Sequence, residues 1–207
     1  MKTQTIKHYT LFACLLLLLV SCKNDDTTTT DFSQTTVFDI FTVQSDGETV
    51  VMNGEIKSRT LDDFNNMIAG HPNIKRINMA EVPGSSDDEI NLQVGARVHQ
   101  LQINTHILDN GLIASGGVDF FLAGIQRTSG NNTQIGVHSW ADGSGNEATD
   151  YPNDSTEHLR YIQYYENVGY SNQWSTDFYF FTINAASADN IHWMTEAEIE
   201  QYQILAQ

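Results

Sequence analysis

The chain has 207 residues, two cysteines and a formal net charge of −16. So acidic a chain argues against a nucleic-acid partner and against adhesion to anionic lipid. Both cysteines, Cys14 and Cys22, lie near the N-terminus. The body of the chain therefore has no disulfide framework, no thiol nucleophile and no cysteine-based metal site.

In chain order, Lys2 and Lys7 form a positive start, and residues 11–20 are an almost unbroken apolar run. That run is too short to span a bilayer as a helix, so residues 1–21 read as a secretory leader. Its end, Leu19-Val20-Ser21-Cys22, resembles a bacterial lipoprotein lipobox. The resemblance implies cleavage before Cys22, lipid on that cysteine, and a mature protein anchored to a membrane with no transmembrane helix. Lys23-Asn24-Asp25-Asp26 resembles the surface-export signal of some Gram-negative lipoproteins. The implied location is the cell envelope, as an outer-membrane lipoprotein facing the periplasm or the surface. Residues 22–35 are polar and low in complexity, as in a flexible tether. Residues 36–207 remain as a single domain, in a mature chain of about 185 residues, long enough for a proper core.

Residues 37–43 read as a strand, Asp46-Gly47 as a turn and residues 49–52 as a second strand. Leu61, Phe64, Met67 and Ile68 share one helical face, which predicts a helix over 60–69 with Thr60 as its cap. Residues 74–82 are extended and lead into Pro83-Gly84-Ser85-Ser86. Ile90, Val94, Val98 and Leu101 predict a helix over 87–102, with Asp87, Asp88 and Glu89 favouring its start. Residues 103–108 form the next strand. A small-residue turn, Ala114-Ser115-Gly116-Gly117, then precedes a short apolar helix over 118–123. Residues 134–140 form another strand with His138 near its end, and 141–155 a polar surface loop. A helix over 157–170 follows, packing Tyr161, Tyr164 and Tyr165 on one face. Residues 177–185 are a further apolar segment, and Thr195 caps a last short helix. Strands alternating with helices predict an α/β domain with mainly parallel pairing, whose ligands sit beyond the carboxyl ends of the strands.

The Pro83 and Ser115 turns both lie at such ends. A serine at a helix N-terminus has free N–H groups and the positive end of the helix dipole beside it, which suits a nucleophile whose reaction develops an oxyanion. The same stretch also reads as a tight turn whose serine caps the helix. His71, His99, His106, His158 and His192 lack metal-ligand spacing, and no metal or other cofactor is expected.

The order of these parts resembles the ClpP/crotonase-like superfamily, most closely a periplasmic ClpP-like serine hydrolase branch. Val51-Met52-Asn53-Gly54-Glu55-Ile56 is similar to the early strand-turn of the Clp protease proteolytic subunit, and Val82-Pro83-Gly84-Ser85-Ser86 to its Pro-Gly-Gly turn. Ala114-Ser115-Gly116-Gly117 is similar to its nucleophile turn. Arg127 with Ile135-Gly136-Val137-His138 resembles the segment of its catalytic histidine, and Trp193-Met194-Thr195-Glu196-Ala197-Glu198 its late helix start. The resemblance implies a ββα superhelix and a serine hydrolase acting on a peptide or small acyl substrate. Ser115 is then the nucleophile, His138 the base, and the backbone N–H groups of Gly116 and the Gly84-Ser85 turn the oxyanion hole. Ser85 departs from the family's second glycine. For the orienting acid, Asp189 lies two residues out of register, Asp177 is the other candidate, and a dyad without an acid is a third arrangement. Two other readings remain open: a crotonase-like enzyme for acyl thioesters, and a non-catalytic lipoprotein that keeps the fold as a binding module. The expected assembly is a monomer or small homo-oligomer.

Overall fold

The computed structural model describes residues 32–206. The expected leader, Cys22 and the tether as far as residue 31 lie outside the described residues.

Four β-branched or sulfur-bearing apolar segments supply the parallel centre of one sheet: β3 (Thr49–Met52), β4 (Arg76–Val82), β5 (Asn104–Ala114) and β7 (Gln134–Val137). Parallel neighbours need long crossovers, and helices provide them. These are α1 (Thr60–Gly70) between β3 and β4, α2 (Asp88–Gln100) between β4 and β5, and α3 (Gly116–Leu122) after β5. The edges are β1 (Val37–Phe38) and β2 (Phe41–Val43), antiparallel before β3, and β8 (His192–Trp193), antiparallel to β7. A short β6 (Arg127–Ser129) pairs with the early half of β5. Beyond β7 the chain forms α4 (Thr156–Asn167), α5 (Asn172–Ala185) and α6 (Glu196–Gln201). The α/β class with mainly parallel pairing is as the sequence predicts.

Helix and sheet are joined by fully buried side chains. Phe64 and Met67 of α1, Val94 and Val98 of α2, and Phe120 and Phe121 of α3 meet Met52, Ile77, Met79, Ile107 and Ile113 of the sheet. Each such side chain contributes about 1.5–3 kcal/mol on leaving water. No helix among the described residues is long and apolar enough to cross a membrane.

Several local expectations change. The strand expected over 37–43 is two strands, because Asp39 adopts a left-handed φ of 50° and turns the chain back on itself. Thr60 does not cap α1: Arg59 holds that position, while Thr60 Oγ1 accepts the Lys57 N–H at 2.9 Å. β5 continues past residue 108 to Ala114, absorbing Asn110 at φ 57° where its register with β4 shifts. The apolar segment over 177–185 is the second half of a helix that begins at Asn172, with Ser171 accepting the Trp174 N–H. Phe178-Tyr179-Phe180-Phe181 alone masks that period, since all faces of the segment are aromatic.

Register sets the site. Val82 lies opposite Ile113, and Ala114 opposite Gly136. The segments carrying Gly84-Ser85, Ser115 and His138 therefore leave three adjacent parallel strands at the same edge, where an open α/β sheet binds its ligands.

Candidate active site

Ser115 closes β5 and opens α3. Its N–H donates to the Gly136 carbonyl at 2.9 Å and its carbonyl accepts from the Val118 N–H at 2.8 Å, which fixes the peptide on both sides. Between those anchors its backbone has φ 50° and ψ −131°. A side chain other than glycine held there carries strain of about 1–3 kcal/mol and persists where the surroundings over-determine it. Ser115 makes no side-chain cap bond to the helix, so its hydroxyl is not committed to capping.

The turn after β4 packs directly against this serine. Gly84 has φ +146°, and a Cβ on it would lie 3.0 Å from Ser115 Cβ and 3.5 Å from Ser115 Oγ. At Gly116 a Cβ would come within 2.3 Å of Ser85 Oγ and 2.8 Å of Asn91 Nδ2, so only glycine fits. Asn91, buried on α2, holds the Gly116 carbonyl at 2.9 Å. The N–H groups of Gly84, Ser85 and Gly116 have no acceptor among the described residues. Ser85, where the resembling family has glycine, donates its hydroxyl to Asp88 Oδ1 and so ties the turn to the start of α2.

His138 follows β7 directly. Its Nδ1 lies 3.0 Å from the Ala188 carbonyl oxygen. A carbonyl only accepts, so Nδ1 carries the proton and the neutral ring keeps its lone pair on Nε2. Ala188 is itself held: its N–H donates to Glu147 Oε1 at 3.0 Å, and the Ser139 N–H donates to the Ala186 carbonyl at 2.9 Å. Ser115 and His138 line two openings together. One is a groove shared with Glu55, Pro83, Gly84, Ser85 and Ile191. The other is a narrow cavity of about 50 Å³, lined in part by residues of α4 and α5. No hydrogen bond joins Ser115 Oγ to His138 among the described residues.

The cavity walls are aromatic, with Trp140, Tyr161, Tyr165, Phe178 and Tyr179 around two carboxylates, Asp88 and Asp119. Tyr161 Oη donates to Asp88 Oδ2 and Tyr165 Oη to Asp119 Oδ1, both at 2.6 Å. Enclosure pushes the Asp119 carboxyl up to about 7, against the Tyr165 hydrogen bond that pulls it down and with Asp88 raising it further. Burial also raises Tyr165 well above its ordinary value and takes Tyr179 to about 12. The wall is locked from behind: Trp140 Nε1 donates to Tyr179 Oη at 2.9 Å, and that hydroxyl lies 2.7 Å from His158 Nδ1.

Gly84, Ser85, Ser115, Gly116 and His138 thus come together. Asp189 and Asp177 do not join them. Asp189 sits exposed in the turn after α5, and the bond expected of it goes to the carbonyl of its neighbour Ala188. Asp177 pairs with Gln173 on α5. The sequence pointed to neither Ala188 nor Glu147. It read Asp88 only as a helix-start residue and the tyrosines only as packing. No group of His, Cys, Asp and Glu side chains among the described residues has the geometry of a metal site.

No family model matches the sequence, and no curated protein does. Solved structures do match. A mutant of the 1510-N membrane-bound stomatin-specific protease, in complex with a substrate peptide, is 19% identical, with 76% of this chain and 74% of that one covered and a TM-score of 0.50. The ClpP protease catalytic domain from Plasmodium falciparum is 19% identical over 77% of this chain and 83% of its own, at a TM-score of 0.49. ClpP1 from Listeria monocytogenes is 20% identical over 77% and 89%, at 0.47. At this identity the likeness to the 1510-N protease is one of fold: the two chains share an α/β fold.

Proposed function

We propose that the chain is a serine hydrolase of the peptidase type, held at the cell envelope by a lipid on Cys22. The observation that carries the reading is the pairing of a strained, uncapped Ser115 with a histidine of defined tautomer in the lining of the same groove and cavity. In the reaction Ser115 Oγ attacks the acyl carbon while its proton passes to His138 Nε2. Negative charge gathers on the former carbonyl oxygen, where the N–H of Gly116 and an N–H of the Gly84-Ser85 turn receive it. His138 then protonates the departing amine, and the acyl-enzyme forms. A water that gives its proton to His138 reverses these steps and releases the acid. The separation of Ser115 and His138 before substrate arrives is usual for such pairs, which tighten in the complex. The fold shared with a protease that binds a substrate peptide supports peptide as the substrate class. The lipobox-like Leu19-Val20-Ser21-Cys22 supports the tether.

A second reading has one observation in its favour. A neutral carbonyl orients His138 but stabilises an imidazolium less than a carboxylate does, as suits a binding module that keeps the fold without turnover. Hydrolysis of activated acyl esters and peptide coumarylamides separates the two. Wild type is expected to turn them over, and Ser115→Ala and His138→Ala each to lose about 10³-fold or more in kcat. Equal rates in all three proteins would end the hydrolase reading.

A further inference from the structure

We infer that the cavity beside Ser115 selects substrates with a slender cationic side chain, lysine above all, on the acyl residue, and that Asp119 with Asp88 is the determinant. The inference rests on the hydrolase reading for its orientation, since Ser115 and His138 line the same cavity. Three features point one way.

The first is charge. Apart from His138, the ionisable acids and bases in the lining are the two aspartates and the three tyrosines Tyr161, Tyr165 and Tyr179, with no lysine or arginine among them. Arg160 is exposed and outside that lining, although it lies over the rings of Tyr161 and Trp140 and donates to Tyr161 Oη at 3.1 Å.

The second is hydrogen-bond satisfaction. Asp88 has both oxygens engaged, one by Ser85 and one by Tyr161. Asp119 has only Oδ1 engaged, by Tyr165, and Oδ2 has no partner among the described residues. Asp119 is part-buried, and its second oxygen is not sealed off, so that oxygen remains available to a donor that enters. Its open side is the cavity.

The third is reach and shape. Asp119 follows Ser115 by four residues, about one turn into α3, and both line the same cavity. The aromatic walls suit the apolar stem of a lysine. An aspartate or glutamate side chain would instead meet two carboxylates.

The test reads binding, so that it stands apart from turnover. The full-length chain carrying Ser115→Ala is titrated with acetyl-Ala-Ala-Lys-amide and with its norleucine counterpart, at about pH 8, where a carboxyl near 7 is mostly ionised. The lysine peptide is expected to bind about 10- to 100-fold more tightly, the range of one charge-assisted hydrogen bond. Adding Asp119→Asn, which keeps the side-chain shape, is expected to abolish most of that preference. Should that variant fold poorly by circular dichroism, Asp88→Asn in the same background is expected to reduce the preference. Equal or tighter binding of the norleucine peptide would overturn the inference, as would a lysine preference that survives both aspartate variants. Failure of the hydrolase reading shows up differently, as absence of turnover in the wild type while the lysine preference persists.

Discussion

The cleft has two walls made in different ways. One consists of backbone at the carboxyl ends of β4 and β5: Gly84, Ser85, Ser115 and Gly116, held by strand register and a left-handed serine. The other consists of side chains from α2, α3, α4 and α5: Asp88, Asp119, Tyr161, Tyr165, Phe178 and Tyr179. On the hydrolase reading, the first wall offers its N–H groups to the acyl oxygen. The second presents charge and shape, which the proposed lysine selectivity uses. On the proposed reading chemistry and selectivity fall mainly on different walls, which are joined where Ser85 donates to Asp88.

Substitutions sharpen or break that division. The largest effect is expected on the backbone wall. Gly116→Ala drives a methyl into Ser85 Oγ and Asn91 Nδ2. Turnover of a small acyl ester is expected to fall by about 10²–10³-fold through the displaced oxyanion donors, with about 1–3 kcal/mol of stability lost to overpacking. Tyr161→Phe on the opposite wall removes a bond to Asp88 but leaves the Ser85–Asp88 bond, and is expected to cost turnover of the same ester far less. Equal losses in the two variants, measured as kcat alongside urea midpoints, would remove the division.

The next effect concerns pH. The Asp119 carboxyl titrates at about 7 in the folded chain against an ordinary 3.8, chiefly because it is enclosed. Between those values the folded state keeps a proton that the unfolded state has released. Stability from this group is therefore greatest near the lower value, falls as pH rises through the window, and levels off above it. Asp119→Asn is expected to flatten that slope in urea midpoints collected across the window. Parallel slopes for variant and wild type would show that Asp119 does not titrate there.

The smallest effects distinguish the support of His138. Glu147 holds the Ala188 N–H, and the Ala188 carbonyl holds His138 Nδ1. Glu147→Ala is expected to lower kcat about tenfold with KM unchanged, since a small displacement of a catalytic base is costly. Asp189→Asn is expected to leave both parameters as they are, because Asp189 is exposed and the imidazole is bonded elsewhere. The reverse ranking would return Asp189 to the reaction.

The same division explains what the sequence disclosed. Backbone sites demand particular residues at particular places, small ones in a tight turn at a strand end, and that pattern stands out in Ala114-Ser115-Gly116-Gly117 and Pro83-Gly84-Ser85. The alternation of strands and helices exposed the parallel sheet for the same local reason. The cavity wall left no such mark. Asp119 and Tyr165 are 46 residues apart and Asp88 and Tyr161 73 apart, and they meet only through tertiary packing. Asp119 also hides in an apolar helix, Gly-Gly-Val-Asp-Phe-Phe-Leu, where a single acid reads as an exposed position. The support of His138 was illegible for another reason: it comes from a main-chain carbonyl, which every residue type carries, so searching for an acid led to the neighbouring Asp189.

The central claim is that Ser115 is a nucleophile activated by His138. The most direct measurement treats the folded full-length chain with a fluorophosphonate and locates the adduct by peptide mass mapping. The account predicts one adduct, on Ser115, that disappears in His138→Ala although Ser115 is still present. A folded protein that takes up no reagent, or one modified at a different residue, would contradict it.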